Sequence, residues 1–122
     1  MASPGSIVWT DLTVPDAGAL RAFYGACVGW TFSDHAMGDY ADYNIQNAAG
    51  DTVAGLCHAR GSNAHVPPAW LVYVDVPSVG AAARAAMAHG GSVLDGPRAM
   101  GGHQFAVIRD PAGAIFAVIG PA

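Results

Sequence analysis

Residues 9–16, WTDLTVPD, return in outline at residues 71–78, LVYVDVPS. Each stretch is the end of a β-rich run that stops on a Val-Pro step followed by Asp16 or Ser78. Proline cannot continue a paired strand, and Asp or Ser is a preferred helix N-cap, so each stretch reads as a strand turning into a helix. The surroundings extend the likeness. In the first half, Ile7 to Val14 reads as a strand and Ala17 to Cys27 as a helix, with Leu20, Phe23, Tyr24 and Cys27 at helical spacing and Gly29 as its stop. Trp30 to Ser33, Asp42 to Gln46 and Thr52 to His58 follow as strands. In the second half, Trp70 to Val76 reads as a strand and Val79 to His89 as a helix ended by Gly90-Gly91. Ser92 to Leu94, Gln104 to Arg109 and Ala114 to Ile119 complete it. Gly50 and Gly113 stand at matching turns, and the polar, double-proline segment Gly61 to Pro68 separates the halves.

A repeat of about sixty residues defines the architecture. The expectation is an α+β fold of two βαβββ modules in tandem, about 6–60 and about 69–122, within one domain spanning 1–122. Two such modules are expected to form a cupped mixed sheet around a central cleft, with the helices outside. The 122 residues are 52% hydrophobic and only 11% charged, which suits one compact domain and argues against disorder. A formal net charge of −4 argues against a nucleic-acid binder. No apolar run approaches the roughly 20 residues of a membrane span. The start, MASPGSIVW, lacks a basic region followed by an apolar one, so no signal peptide is read there. Cys27 and Cys57 are the only cysteines and read as reduced thiols of a cytoplasmic protein, with a disulfide as the alternative.

WTDLTVPD, FYGACVGW (23–30), AWLVYVDV (69–76), HGGSVL (89–94) and DPAGAIF (110–116) occur in an order that resembles the vicinal oxygen chelate superfamily, the glyoxalase/bleomycin resistance/dioxygenase group. The resemblance covers nearly the whole chain and is nearest to bleomycin-resistance-like or glyoxalase-like members. It implies up to four metal ligands, His, Glu or Gln, one on each of the first, fourth, fifth and eighth strands. Carried over, those positions fall on Trp9, Ala54, Leu71 (or Trp70, one residue earlier) and Ala117. None of these side chains binds a divalent cation, so no metal and no other cofactor is expected.

Strand alternation then proposes what faces the cleft. Trp9 facing in brings Asp11 with it, and Leu71 brings Tyr73. Ala54 facing in brings Leu56 and His58, and puts Cys57 outward. Ala117 brings Ile115 and Ile119. Tyr43, His103 and Phe105 join the candidates if their strands turn the same way, a facing the sequence leaves open. The candidate ligand contacts are therefore Trp9, Asp11, Tyr43, Leu56, His58, Leu71, Tyr73, His103, Phe105 and Ala117. Each has a plainer reading as core filler or surface residue. The five histidines show no familiar metal spacing, and an improvised set of His58, His103 and Asp11 is the residual metal alternative. No nucleophile elbow, P-loop or dinucleotide fingerprint is present.

An apolar and aromatic cleft with few polar groups suits a small, often flat organic molecule. The leading expectation is a metal-free binding protein for an aromatic or apolar natural product, conferring antibiotic or toxin resistance by sequestration and acting as a homodimer. The alternative is a cofactor-free isomerase, cyclase or lyase using Asp11, His58 and Tyr73. A metal-dependent glyoxalase or dioxygenase is the third.

Overall fold

The structure is a computed structural model and describes residues 3–122. Met1 and Ala2, which open the stretch read for a signal peptide, lie outside the described residues. The elements run β1 (Ile7–Val14), α1 (Ala17–Val28), β2 (Thr31–Ala36), β3 (Ala41–Gln46), β4 (Thr52–His58), a short 3-10 turn (Gly61–Asn63), β5 (Trp70–Asp75), α2 (Val79–Ala88), β6 (Ser92–Met100), β7 (His103–Arg109) and β8 (Ile115–Pro121). Eight strands and two helices among the described residues make the chain α+β, with βαβββ occurring twice. Among the described residues no helix is long and apolar enough to cross a membrane.

Contacts divide the chain into two compact units, Thr10–Trp70 and the segment up to Trp9 together with Leu71–Ala122. In the first unit the strands lie in the order β2-β3-β4-β1. β2 with β3 and β3 with β4 are antiparallel, and β4 with β1 is parallel. Asp16 caps α1 by accepting from the Ala19 N–H, and Gly29 closes it in the left-handed region at φ 73°. Leu12, Val14, Ala17, Ile45, Ala54 and Leu56 form the buried core, with Leu20 and Tyr24 of α1 packed on it. Trp30 and Trp70 flank Tyr24, and the Trp70 indole N–H donates to the Tyr24 hydroxyl at 3.1 Å. This bond satisfies the polar tips of two large aromatics that the core half-buries.

In the second unit the order is β5-β8-β7-β6, with β5 and β8 parallel and the other pairs antiparallel. Ser78 caps α2 through the Ala81 N–H. Val79, Ala106, Ile108 and Val118 form the core on the α2 side. β6 is longer than the sequence suggested. The expected strand ends at Leu94, yet Gly96 takes φ 83° and the register slips across it, so pairing with β7 resumes at Arg98 and runs to Met100.

Candidate functional site

Register fixes which side chains share a face. In the first unit Asp11 is level with Gly55 and Leu12 with Leu56, while Tyr43 pairs with Leu56 and Ile45 with Ala54. Leu12, Tyr43, Ile45, Ala54 and Leu56 therefore lie on the α1 side, where the core confirms them. Trp9, Asp11, Thr13 and Cys57 lie on the other. This corrects the facing read from sequence. Leu56 is wholly buried in the α1 core. Tyr43 is half-buried there, with the Arg21 guanidinium 4.6 Å above its ring. His58 does not share a face with Asp11, and Cys57, expected to point away from Asp11, points the same way. The physical reason is that the alternation was anchored on Ala54, whose small side chain fits a cleft wall and a helix-packed sheet equally well.

Asp42 is the residue the sequence reading missed. It is 7% exposed, and its Oδ1 accepts the His58 backbone N–H at 2.8 Å and lies 3.3 Å from His58 Nδ1. An ionised carboxylate only accepts, so Nδ1 is the donor of this contact. Tyr40 and Tyr43 hold the ring, with centroids at 5.6 and 6.0 Å. The Cys57 thiol is hydrogen-bonded to Asp42 and Thr13. Burial first, then the charges of Asp11 and Asp42, hold that thiol protonated far above its ordinary range.

In the second unit Tyr73 is level with Ala117, Asp75 with Ile119, Phe105 with Ile119 and His103 with Pro121. All these side chains, and Leu71, lie away from α2, which settles for His103 and Phe105 a facing that the sequence left open. Leu71, Tyr73, Phe105 and Ala117 are each at most 5% exposed. Space opens toward the strand ends. There, Val8, Asp75, His103, Ile119, Gly120 and Pro121 line a recess of about 540 Å³, within the range of small-molecule sites. Of the sequence candidates His103 lines it. Gly120 is required, because a Cβ there would collide with the carbonyl oxygen of Val76. Nearby on β6, Arg98 makes a forked contact with Asp95 (3.1, 3.2 and 2.9 Å) and lies 4.4 Å over the Phe105 ring, which fixes that ring from one side.

The positions that would carry metal ligands do not fit a divalent cation. Trp9, Leu71 and Ala117 have no donor. Ala54 points to the α1 core, and its neighbours Val53 and Gly55, which face the other way, have none either. Among the described residues no three His, Cys, Asp or Glu side chains come together as a metal site, so the set of His58, His103 and Asp11 is not assembled.

A fold of paired βαβββ units with a strand-end recess is the class these observations define. The family model of the Glyoxalase/Bleomycin resistance protein/Dioxygenase superfamily matches residues 6–118. The chain belongs to that superfamily. It is 36% identical over 119 residues to CFP32 of Mycobacterium bovis, provisionally named a glyoxylase, covering 97% of this chain and 45% of that protein. It is 32% identical over 129 residues to the anthracycline biosynthesis protein DauV of Streptomyces sp. strain C5, covering 95% of this chain and 47% of that protein. The chain thus spans about half the length of the curated relatives it matches. A Streptomyces coelicolor methylmalonyl-CoA epimerase variant, solved with 2-nitronate-propionyl-CoA, shares the fold. Its TM-score is 0.56 at 18% identity, over 98% of this chain and 99% of that chain.

Proposed function

We propose that this chain binds a small, largely apolar organic molecule without a metal and protects by sequestering it, as a cytoplasmic homodimer. The observation that carries the reading is the recess, of small-molecule volume and walled by Val8, Ile119 and Pro121, in a family member whose ligand positions hold no donor. Two relatives carry names tied to natural-product biosynthesis, which supports an organic natural product as the class of ligand. Contact with apolar walls of this kind supplies micromolar affinity when it yields about 8 kcal/mol.

The test is titration of naphthalene and anthraquinone probes, followed by fluorescence, with and without EDTA, and recovery of the probe for mass analysis. Saturable, EDTA-insensitive binding of an unaltered probe is expected. Val8→Trp puts a large side chain at the rim of the recess, on a position already 41% exposed, and should abolish binding while leaving the fold intact. A probe whose mass changes, or binding that survives Val8→Trp, overturns the reading.

A second reading, a cofactor-free enzyme, is favoured by one observation, the Asp42-oriented His58. Such a pair is the arrangement of a general base. In this reading His58 is the base and Asp42 its orienting partner, while Asp11 stands on the other face of the strand pair.

A further inference from the structure

The recess contains one group that apolar binding does not use. Asp75 lies on the same face as Ile119 and lines the recess, half-buried. Its backbone is fully engaged: the Asp75 N–H donates to Ser6 at 2.8 Å, and its carbonyl accepts from Gly5 at 2.7 Å. Its carboxylate is not. Among the described residues it has no basic side chain within ion-pair distance and no hydrogen-bond donor. Other enclosed acids among the described residues are engaged: Asp42 with His58, Asp95 with Arg98, and Asp110 with the Ala112 and Ala114 N–H groups. A carboxylate on the wall of a recess, with no cation of its own, is placed to take a cationic ligand as its counter-ion. His103 is the other polar side chain of the recess, and an imidazole ring nitrogen that carries no proton can accept an N–H. Two donors are too few for a metal ion, and the remaining walls are apolar.

We propose that the recess takes a small organic cation, a primary or secondary amine on an apolar body, with the Asp75 carboxylate as its counter-ion. This rests on the recess being the binding site and adds the charge of the ligand to it. The ammonium gives one hydrogen to Asp75 and offers another to His103, while the apolar body lies against Val8, Ile119 and Pro121. The negative net charge of the chain assists the approach of a cation at low salt.

The experiment uses two probes of one shape, 1-naphthylmethylamine and 1-naphthalenemethanol, titrated by calorimetry into the wild type and into Asp75→Asn. The amine should bind the wild type at least tenfold more tightly than the alcohol. In Asp75→Asn that preference should fall to within about threefold, with the alcohol's affinity unchanged. Should Asp75→Asn fail to fold, the wild type still decides. Raising NaCl from 20 to 300 mM should weaken the amine severalfold and leave the alcohol unaffected. Equal binding of the two probes to the wild type, or a preference that persists in Asp75→Asn or is indifferent to salt, overturns the proposal while leaving apolar binding standing. Failure of both probes to bind overturns the apolar reading as well.

Discussion

Leu56→Ala separates two placements of one side chain. The alternation read from sequence puts Leu56 in a ligand cleft. The register puts it level with Leu12, opposite Tyr43, and inside the core that α1 covers, with 0% exposure. Truncation there removes a fully buried isobutyl group and leaves a cavity walled by Leu12, Val14 and Ile45, which strand pairing on both sides prevents from collapsing. Leu→Ala at such sites costs about 2–5 kcal/mol. For a chain of 122 residues the unfolding entropy is about 0.25 kcal/mol per degree, so the melting temperature should fall by roughly 10–20 °C. Circular dichroism or differential scanning calorimetry measures this directly. Affinity for a naphthalene probe, measured at a temperature where the variant is folded, should stay within about twofold. A fall of under about 3 °C accompanied by a large loss of affinity would refute the α1-side placement and with it the register argument for Tyr43 and His58.

The cysteines should differ sharply. Cys27 is exposed and should be alkylated by iodoacetamide within minutes at pH 8, while Cys57 should react only as the protein opens, as peptide mass mapping will show. Because the folded thiol of Cys57 is raised, its contribution to stability is complete below the unfolded value of about 8.5 and is lost as pH rises above it, by up to about 1.4 kcal/mol per unit. Cys57→Ser should flatten urea-derived stability between pH 8.5 and 10 relative to wild type. Gly120→Ala should destabilise by about 1–3 kcal/mol, because the β8 end must move off the Val76 carbonyl, and should weaken probe binding in the recess. A variant as stable as wild type would show that the strand end has slack.

Much of the fold is legible in the sequence because its punctuation is chemical. The Val-Pro-Asp and Val-Pro-Ser steps mark both strand-to-helix turns, and the runs Ile7–Val14 and Thr52–His58 are found with the limits that alternation and turn residues predict. β2 and β6 run past their expected ends at Ser33 and Leu94: β2 continues to Ala36 in pairing with β3, and β6 bends at Gly96-Pro97 and resumes pairing with β7 at Arg98. The site was less legible. Facing depends on which residue anchors the alternation, and an alanine carries no information about its side. Asp42 read as an ordinary strand opening, because its acceptor role toward His58 depends on β3 and β4 pairing, sixteen residues apart in sequence. Asp75 is legible in principle: it shares parity with Leu71 and Tyr73 on one strand, and no basic residue stands near it in sequence.

The central claim is that this family member holds an organic ligand with its own side chains and no metal. The most direct measurement is calorimetric titration of 1-naphthylmethylamine into protein dialysed against EDTA, repeated with zinc or nickel restored. The account predicts saturation at one probe per chain, with the same affinity in both conditions and the probe recovered chemically unchanged. Binding that disappears in EDTA and returns with about one metal ion per chain would contradict it.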